Sequence, residues 1–297
     1  MAFDGSAIKA LLDGAVSNGA VHGIAAMVVG PGGPLFHHAA GEAHENTMFR
    51  NASMTKAVAT TAALQFVERG KLELDATVES ILPEFGALQV LDGFDGDTPR
   101  LRPPASQATV RQLMTHSGGL GYFFLSEKLQ RFHEVTGEPH VLTGLKRSLH
   151  VPLVSDPGTT WEYGTNTDWL GLVVEKLSGQ GLESYLQEHV YGPLGMTDTT
   201  FKPNAEQRAR LLRVMQRQPD GSLAPSRLDL PPTSEWEAGG HGSYGTIQDY
   251  GRFMQAWLDD GGGILDRATV EMALRNHLGE IQLPALLKST VPELSND

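Results

Sequence analysis

The sequence has no cysteine among its 297 residues, and this absence removes several kinds of chemistry at once. Disulfide bonds, thiolate metal sites and cysteine nucleophiles are all excluded. Basic residues are also scarce, since 23 Lys and Arg stand against 35 Asp and Glu and give a net charge of −12. Nucleic acids and anionic membrane surfaces attract basic proteins, so this balance argues against both as partners.

Long apolar runs and targeting signals are missing as well. No apolar stretch is long enough to span a bilayer. The first ten residues lack the basic segment and apolar run that are typical of a secretory signal. These patterns predict a cytoplasmic protein with no membrane partner. A hydrophobic content of 40% over this length predicts a globular chain with one large or two modest domains.

Several catalytic signatures cannot be found in the chain. There is no Gly-x-Ser-x-Gly elbow, so an ordinary α/β-hydrolase triad is unsupported. A phosphate-binding Gly-x-x-x-x-Gly-Lys and a zinc-binding His-Glu-x-x-His are also absent. The glycine-rich block at 239–245 follows no apolar strand, so close packing of its backbone beneath a site is a better interpretation than dinucleotide binding. We therefore expect no cofactor and no metal.

The sequence does contain a serine and a lysine one helical turn apart, Ser53 and Lys56. Residues 53–69 lack Gly and Pro and stop at Gly70, which predicts a helix with Ser53 at its start. Side chains three residues apart share a helix face, so the Lys56 amine can reach the Ser53 oxygen. The positive end of the helix dipole disfavours the ammonium form of a first-turn lysine. A serine nucleophile with its own proton acceptor is therefore one interpretation.

The spacing alone leaves simpler explanations open. A serine at a helix start is most often a cap, and a first-turn lysine is most often solvated. The same spacing recurs at Ser6 and Lys9, inside a segment with the apolar period of an ordinary amphipathic helix. There we interpret it as a chance match. Context must decide whether the pair at 53 and 56 is catalytic.

The remaining pattern predicts one hairpin followed mostly by helices. Two apolar runs, 23–30 and 34–40, are joined by Pro-Gly-Gly and predict a β-hairpin. Helices are predicted at 6–18, 108–114, 127–135, 168–177, 182–190, 247–258 and 267–277, and long loops at 92–107 and 216–236. A sheet of only two strands is marginally stable in water. The predicted sheet is therefore too small for the helix at 53–69, which needs a sheet to pack against.

Two further segments carry polar groups of interest. Residues 161–168 (WEYGTNTD) place Tyr163 before a glycine, whose conformational freedom lets a tight turn present the phenol to a cleft. Beside a lysine base such a phenol can relay a proton to and from a serine oxygen, although packing on a loop is the commoner role of a tyrosine. Residues 111–120 (RQLMTHSGGL) end a helix at a glycine pair, where we expect His116 and Ser117 to form a hydrogen-bonded turn.

In their order along the chain, these segments resemble the serine β-lactamase and penicillin-binding-protein superfamily, in its class C β-lactamase-like branch. Within that branch the chain is most similar to the esterases and the lovastatin-type acyltransferase. The resemblance runs from about residue 23 to residue 297. Its motifs are 49–56 (FRNASMTK), 113–120 (LMTHSGGL), 156–158 (DPG), 161–164 (WEYG), 193–201 (PLGMTDTTF), and Gly-Thr at 245–246 followed by Asp-Tyr at 249–250.

The resemblance implies an α/β (α+β) fold of the β-lactamase/transpeptidase type, with an antiparallel sheet flanked by helices and a mostly helical region. On this basis residues 1–69 and 237–297 form the α/β part, and residues 70–236 form the helical region. It also implies that Ser53 is the nucleophile of an acyl-enzyme and that Lys56 and Tyr163 share the base and acid roles. The backbone N–H of Ser53 would be one oxyanion donor. The expected substrate-binding residues are Asn166, His241 and Gly242.

Two departures from the family pattern bear on the reaction. Many β-lactamases carry Asn two residues after the tyrosine, where this chain has Thr165 and places Asn166 one residue further on, which favours ester over β-lactam chemistry. The third family motif, a Lys-Thr-Gly or Trp-Gly-Gly-like strand that supplies a second oxyanion N–H, is missing. We therefore expect a C-terminally truncated chain with an incomplete sheet. Loss of one oxyanion donor costs about 10²–10³-fold in rate, so weak or no activity is expected.

Three functions stay open at this stage. The first is a serine esterase or acyltransferase that acts on a small ester or acyl substrate. The second is a β-lactamase or D-Ala-D-Ala peptidase, which Thr165 and the expected cytoplasmic location disfavour. The third is a catalytically impaired remnant that forms a homo-oligomer through an open sheet edge.

Overall fold

A computed structural model describes residues 3–226 and 233–290 of the chain. The helices are α1 (Ser6–Ser17), α2 (Thr55–Glu68), α3 (Val110–Met114), α4 (Glu127–Thr136), α5 (Asn166–Ser178), α6 (Leu182–Leu186), α7 (Gly192–Leu194), α8 (Ala205–Ala209), α9 (Ile247–Leu258) and α10 (Arg267–Ala273). The strands are β1 (Gly23–Gly30), β2 (Gly33–Gly41), β3 (Phe49–Arg50), β4 (Val90–Asp95), β5 (Thr98–Arg102), β6 (Met215–Arg217), β7 (Leu223–Pro225) and β8 (Tyr244–Gly245).

The chain divides into two compact units, which we call the sheet unit and the helical unit. The sheet unit is formed by Met1–Ala52, Leu186–Asp229 and Gly242–Val270. The helical unit is formed by Ser53–Tyr185, Leu230–His241 and Glu271–Asp297. The domain boundaries that the resemblance implies, at 69/70 and 236/237, stay a prediction.

The sheet unit is built around the hairpin of β1 and β2. The two strands are antiparallel, with Gly23 opposite Gly41 and Gly30 opposite Gly33, so the hairpin predicted from the two apolar runs is confirmed. Helix α9 packs on β1. Two shorter antiparallel pairs, β3 with β8 and β6 with β7, belong to the same unit. The register shifts between Val28 and Val29, where Pro34 of β2 lies opposite Val29.

The centre of the helical unit is the packing of α2 against α5. Small side chains such as Ala59 and Ala62 on α2 are fully buried and let the helices approach closely. On α5, Trp169 is fully buried and meets the ring of Phe85 edge-on, with centroids 4.9 Å apart. Burial of each large apolar side chain contributes about 1.5–3 kcal/mol. This packing gives a rigid base to any side chain in the first turn of α2.

A glycine turn runs against both of these helices. A Cβ atom at Gly239 would lie 2.6 Å from the Thr167 carbonyl oxygen and 3.4 Å from the Ala59 side chain. A Cβ atom at Gly240 would lie 2.5 Å from the Asp168 carboxylate. Only glycine allows the backbone to come this close. The interpretation of residues 239–245 as closely packed backbone is therefore confirmed at these two positions.

Two loop predictions are wrong. Residues 92–107 were expected to be a loop, but they contain most of the β4/β5 hairpin, whose two-residue turn is Gly96-Asp97. A two-residue Gly-Asp turn is a hairpin signal, but the prolines of this segment obscured it. Residues 216–236 likewise include most of the β6/β7 hairpin. Part of that predicted loop, 227–232, lies outside the described residues.

The helix ends show one difference that matters for the site. Helix α2 begins at Thr55 after a 3-10 turn at Ala52–Met54, so the prediction that Ser53 opens the helix is wrong by two residues. The N-cap residue of α2 is Met54, whose side chain makes no capping hydrogen bond. The predicted end is confirmed, since Gly70 has φ +64° and its N–H donates to the Val67 carbonyl.

The predicted fold class is confirmed as a mixture of helices and antiparallel strands. Within the described residues the strands form four two-stranded antiparallel sheets. Each helix in 3–226 and 233–290 falls short of the combined length and hydrophobicity that crossing a membrane requires. The incomplete sheet, the cytoplasmic location and the homo-oligomer stay predictions.

Candidate active site

The candidate site begins in the turn that leads into α2. Ser53 is exposed in this turn. The preceding residue, Ala52, has φ +44°, a conformation that is unusual for any residue except glycine. Such backbone strain costs about 1–3 kcal/mol and tends to occur at functional sites, where the surrounding structure maintains it. The strain therefore supports the interpretation that the position of Ser53 matters.

Lys56 is buried, with 8% of its surface exposed, and its amine is surrounded by oxygen atoms. The Nζ atom lies 3.1 Å from the Ser53 Oγ, 3.0 Å from the Tyr122 hydroxyl and 2.7 Å from the Gly240 carbonyl oxygen. An ammonium group has three N–H donors and can donate to all three oxygens. A neutral amine keeps a lone pair, which can accept the proton of the serine hydroxyl. The geometry therefore suits both protonation states of a general base.

Two tyrosine rings enclose the same amine. The Lys56 Nζ lies 4.6 Å from the centroid of the Tyr163 ring and 5.1 Å from that of Tyr122. The two rings meet edge-to-face, with centroids 5.5 Å apart. A cation over an aromatic face is attracted by the ring quadrupole. The structure thus brings Ser53, Lys56 and Tyr163 together, with the ring of Tyr163 against the amine.

Tyr122 is a member of the site that the sequence analysis missed. It follows the glycine pair of the 111–120 segment and begins an aromatic run, Tyr-Phe-Phe, which was the available signal. Its side chain is buried, and burial raises the pKa of the Tyr122 phenol well above its usual value, with the charge of Asp168 and then Tyr163 adding to the effect. The phenol therefore stays protonated near neutral pH. It can hold the lysine amine but is poorly suited to act as a base.

His116 supports the ring of Tyr163. Their rings lie 4.9 Å apart between centroids, and the Asn166 side-chain amide lies 3.2 Å from the His116 Nδ1. Burial and the nearby charge of Lys56 lower the pKa of His116 to about 3, so the imidazole is neutral and its Nδ1 can accept from Asn166. The predicted turn at 116–117 is confirmed, since Ser117 donates its N–H to the Gln112 carbonyl.

The three predicted substrate-binding residues lie in different surroundings. Asn166 is fully buried, and its side-chain amide also donates to two backbone carbonyls. The His241 Nδ1 lies 3.7 Å from the buried Asp168 carboxylate, and burial lowers the pKa of His241. Gly242 belongs to the sheet unit. A role of these residues in substrate binding stays a prediction.

A cavity of about 760 Å³ adjoins the two tyrosines. Its walls include Tyr122, Trp161, Tyr163 and Leu125, together with residues from 281 to 288. Small-molecule sites commonly have this size and mix apolar walls with a few polar groups. Burial also raises the pKa of the Glu162 carboxyl in this wall. The described ranges hold no cluster of three His, Asp or Glu side chains placed to bind a metal ion.

Fold and site together define a class of proteins in which a serine and a lysine, three residues apart, meet at the start of a packed helix. Nucleophilic serines with a lysine base are one recurrent solution to acyl transfer. A family model described as Beta-lactamase matches residues 8–292, and the chain belongs to the beta-lactamase family.

Relatives of known function are acyl-transferring and ester-cleaving proteins. The chain is 38% identical over 238 residues to a monacolin J acid methylbutanoyltransferase of Aspergillus terreus, covering 76% of this chain and 56% of the relative. It is 35% identical over 237 residues to a lovastatin esterase of Penicillium rubens, covering 77% and 59%. The chain thus spans little more than half the length of these relatives.

The fold is similar to that of solved structures in the same group. A mutant simvastatin synthase from Aspergillus terreus superimposes with a TM-score of 0.82 at 32% identity, covering 89% of this chain and 69% of that chain. The unliganded selenomethionyl form of the synthase gives the same TM-score at 31% identity, covering 93% and 73%. The resemblance stated from the sequence motifs is therefore confirmed.

Proposed function

We propose that this protein is a serine carboxylesterase or acyltransferase that forms an acyl-enzyme on Ser53. The observation that carries the proposal is the 3.1 Å contact between the Lys56 Nζ and the Ser53 Oγ, made by an amine that is buried and held by two further oxygens. Similarity to a methylbutanoyltransferase and a lovastatin esterase supports the same reaction class.

The first half of the reaction transfers the acyl group to the serine. Neutral Lys56 accepts the hydroxyl proton while the Ser53 Oγ forms a bond to the acyl carbonyl carbon. The carbonyl oxygen becomes an oxyanion, for which the backbone N–H of Ser53 is one donor. The ester C–O bond then breaks, and the leaving alkoxide takes the proton from the Lys56 ammonium, with Tyr163 as a relay. An alcohol is released and the acyl-enzyme remains.

The second half returns the serine to its resting state. Water or an acceptor alcohol attacks the acyl carbonyl and gives its proton to neutral Lys56. The bond between the acyl group and Ser53 breaks, and the Ser53 Oγ takes that proton back. Water gives a carboxylic acid and makes the protein an esterase, whereas an alcohol gives a new ester and makes it an acyltransferase.

The substrate class follows from the cavity beside the two tyrosines. Aromatic and leucine side chains form much of its wall, and its volume suits a small or medium acyl ester. The net charge of −12 disfavours anionic substrates through long-range repulsion. We therefore propose uncharged esters with apolar acyl groups as substrates.

The proposal is tested by trapping the acyl-enzyme. The protein at micromolar concentration is mixed with p-nitrophenyl butyrate, quenched in acid and measured by intact mass, and the modified peptide is sequenced. We expect one butyryl group on Ser53 and a matching burst of p-nitrophenol, even if turnover is slow. The same protein is treated with a fluorophosphonate, which labels activated serines. No adduct from either reagent, or an adduct elsewhere, would overturn the proposal. Hydrolysis of nitrocefin without acylation by the ester would favour β-lactam chemistry instead.

The hydroxyl of Tyr122 is expected to affect the acylation rate. Tyr122→Phe removes an oxygen that lies 3.0 Å from the lysine amine but keeps the ring. A hydrogen bond to a charged group contributes about 1.5–3 kcal/mol, so the burst rate should fall about 10–100-fold. Tyr163→Phe provides the comparison, because it removes the proposed relay but keeps the ring face at the amine. A Tyr122→Phe protein with the parent burst rate would show that this hydrogen bond does not contribute.

A further inference from the structure

A carboxylate is fully buried directly behind the lysine amine. Asp168 lies in the first turn of α5 and has none of its surface exposed. Its Oδ1 accepts the backbone N–H of Gly240 at 2.7 Å. A buried ionisable group is costly unless hydrogen bonds compensate for lost hydration. Since apolar residues would fill the same space at lower cost, the presence of an aspartate here calls for an explanation beyond stability.

Gly240 links this carboxylate to the lysine. Its N–H is bonded to Asp168, and its own carbonyl oxygen accepts from the Lys56 Nζ at 2.7 Å. This is the shortest of the three contacts of the amine, the others being 3.0 and 3.1 Å. The N–H and C=O groups of one residue are connected by two backbone dihedrals. The backbone dihedrals of a glycine are less restricted than those of other residues. Holding the Gly240 N–H in place therefore helps to fix the direction of the Gly240 carbonyl.

We propose that Asp168 is a positioning residue for the acyl-transfer reaction: it holds the Gly240 backbone so that the Gly240 carbonyl keeps the Lys56 amine within reach of Ser53. A lysine side chain has four rotatable bonds, and ordering it costs about 2 kcal/mol of rotamer entropy. When the Gly240 carbonyl oxygen is already held in place, less of this entropy has to be lost at the moment the proton is transferred. The inference rests on the proposed function of the serine and lysine.

The electrostatic surroundings agree with this arrangement. The charged and titratable groups around Asp168 are Lys56, His241 and Tyr122. Burial raises the pKa of Asp168, while His241, Lys56 and the Gly240 N–H favour its carboxylate form in that order. The fit around Gly240 is tight enough that any side chain there would displace the carboxylate. Asp168 and Gly240 therefore act as one unit behind the amine.

The test measures how fast a fluorophosphonate labels Ser53, separating the maximal labelling rate from the concentration that gives half of it. Asp168→Ala removes the acceptor and should lower the maximal rate about 10–100-fold, with the half-saturating concentration little changed. Asp168→Asn keeps an oxygen that can accept from Gly240, so it should label within about threefold of the parent. A role in substrate binding would change the half-saturating concentration instead.

A stability-matched control separates positioning from a general loss of structure. Val174→Ala, six residues further along the same helix, removes buried apolar atoms and should lower the thermal midpoint without changing the maximal labelling rate. Where Asp168→Ala does not fold, Gly240→Ala takes its place, because the added methyl would displace the Gly240 backbone from the carboxylate. The proposal predicts that it also labels slowly.

The outcomes are distinct for the two proposals. Parent protein that is not labelled on Ser53 would overturn the proposed function itself. Parent protein labelled on Ser53, together with Asp168→Ala labelled at the parent rate, would overturn only the role of Asp168. Slow labelling of Val174→Ala to the same extent as Asp168→Ala would also overturn it, since stability alone would then explain the effect.

Discussion

Replacing Ser53 by Ala is expected to abolish acylation, with a fall of at least about 10³-fold in the burst rate with p-nitrophenyl butyrate. The substitution removes the nucleophilic oxygen of the proposed reaction, so no acyl-enzyme can form. Stability should hardly change, because the side chain is exposed. The burst rate, the intact mass after quenching and the thermal midpoint are measured on the same preparation.

The second serine–lysine spacing of the chain supplies a matched control. Ser6→Ala changes the same residue type at the same spacing from a lysine, in the exposed first turn of α1. The partner lysine, Lys9, bonds to Asp13 at 2.6 Å and lies in solvent. We expect Ser6→Ala to acylate like the parent. An unchanged burst in Ser53→Ala would refute the assignment of the nucleophile.

Replacing Lys56 by Met should lower acylation about 10²–10⁴-fold, which is the usual contribution of a positioned general base. Methionine fills most of the buried volume but cannot accept the proton of Ser53. Lys56→Arg keeps a positive charge, yet a guanidinium stays protonated and cannot act as a base. Both variants should therefore be nearly inactive in the burst assay and in fluorophosphonate labelling.

The arginine variant separates two roles of the lysine. If Lys56 served only as a positive charge for the oxyanion, Lys56→Arg would keep a large part of the activity while Lys56→Met would lose it. That result would contradict the proposed base role. Lys9→Met is the control, since an exposed ion pair contributes about 0–1 kcal/mol and should affect neither rate nor stability appreciably.

Much of the local structure could be predicted because it follows from short-range patterns. The hairpin of β1 and β2 follows two apolar runs with a proline–glycine turn, and α9 occupies the predicted residues 247–258. The β4/β5 hairpin was missed because prolines usually exclude strands, although edge strands tolerate them. Helix α10 ends at Ala273, four residues before its predicted end.

The candidate site could be predicted only in part. Ser53 and Lys56 are neighbours in sequence, so helix periodicity places them together without further information. Tyr122 is 66 positions from Lys56, and Gly240 is 184 positions away. No local pattern relates such distant residues, and the fully buried Asp168 gave no signal that separates it from an ordinary first-turn acid of a helix.

By itself, then, the sequence determined the spacing of Ser53 and Lys56, the helix that carries Lys56 and the family motifs around them. It could not distinguish this pair from Ser6 and Lys9 by spacing. Tertiary structure decided that difference, because Lys9 lies in solvent beside an acid, whereas Lys56 is buried among oxygens brought from distant parts of the chain. The physical reason is burial: an amine removed from water takes its hydrogen-bond partners from whatever the packed chain places around it.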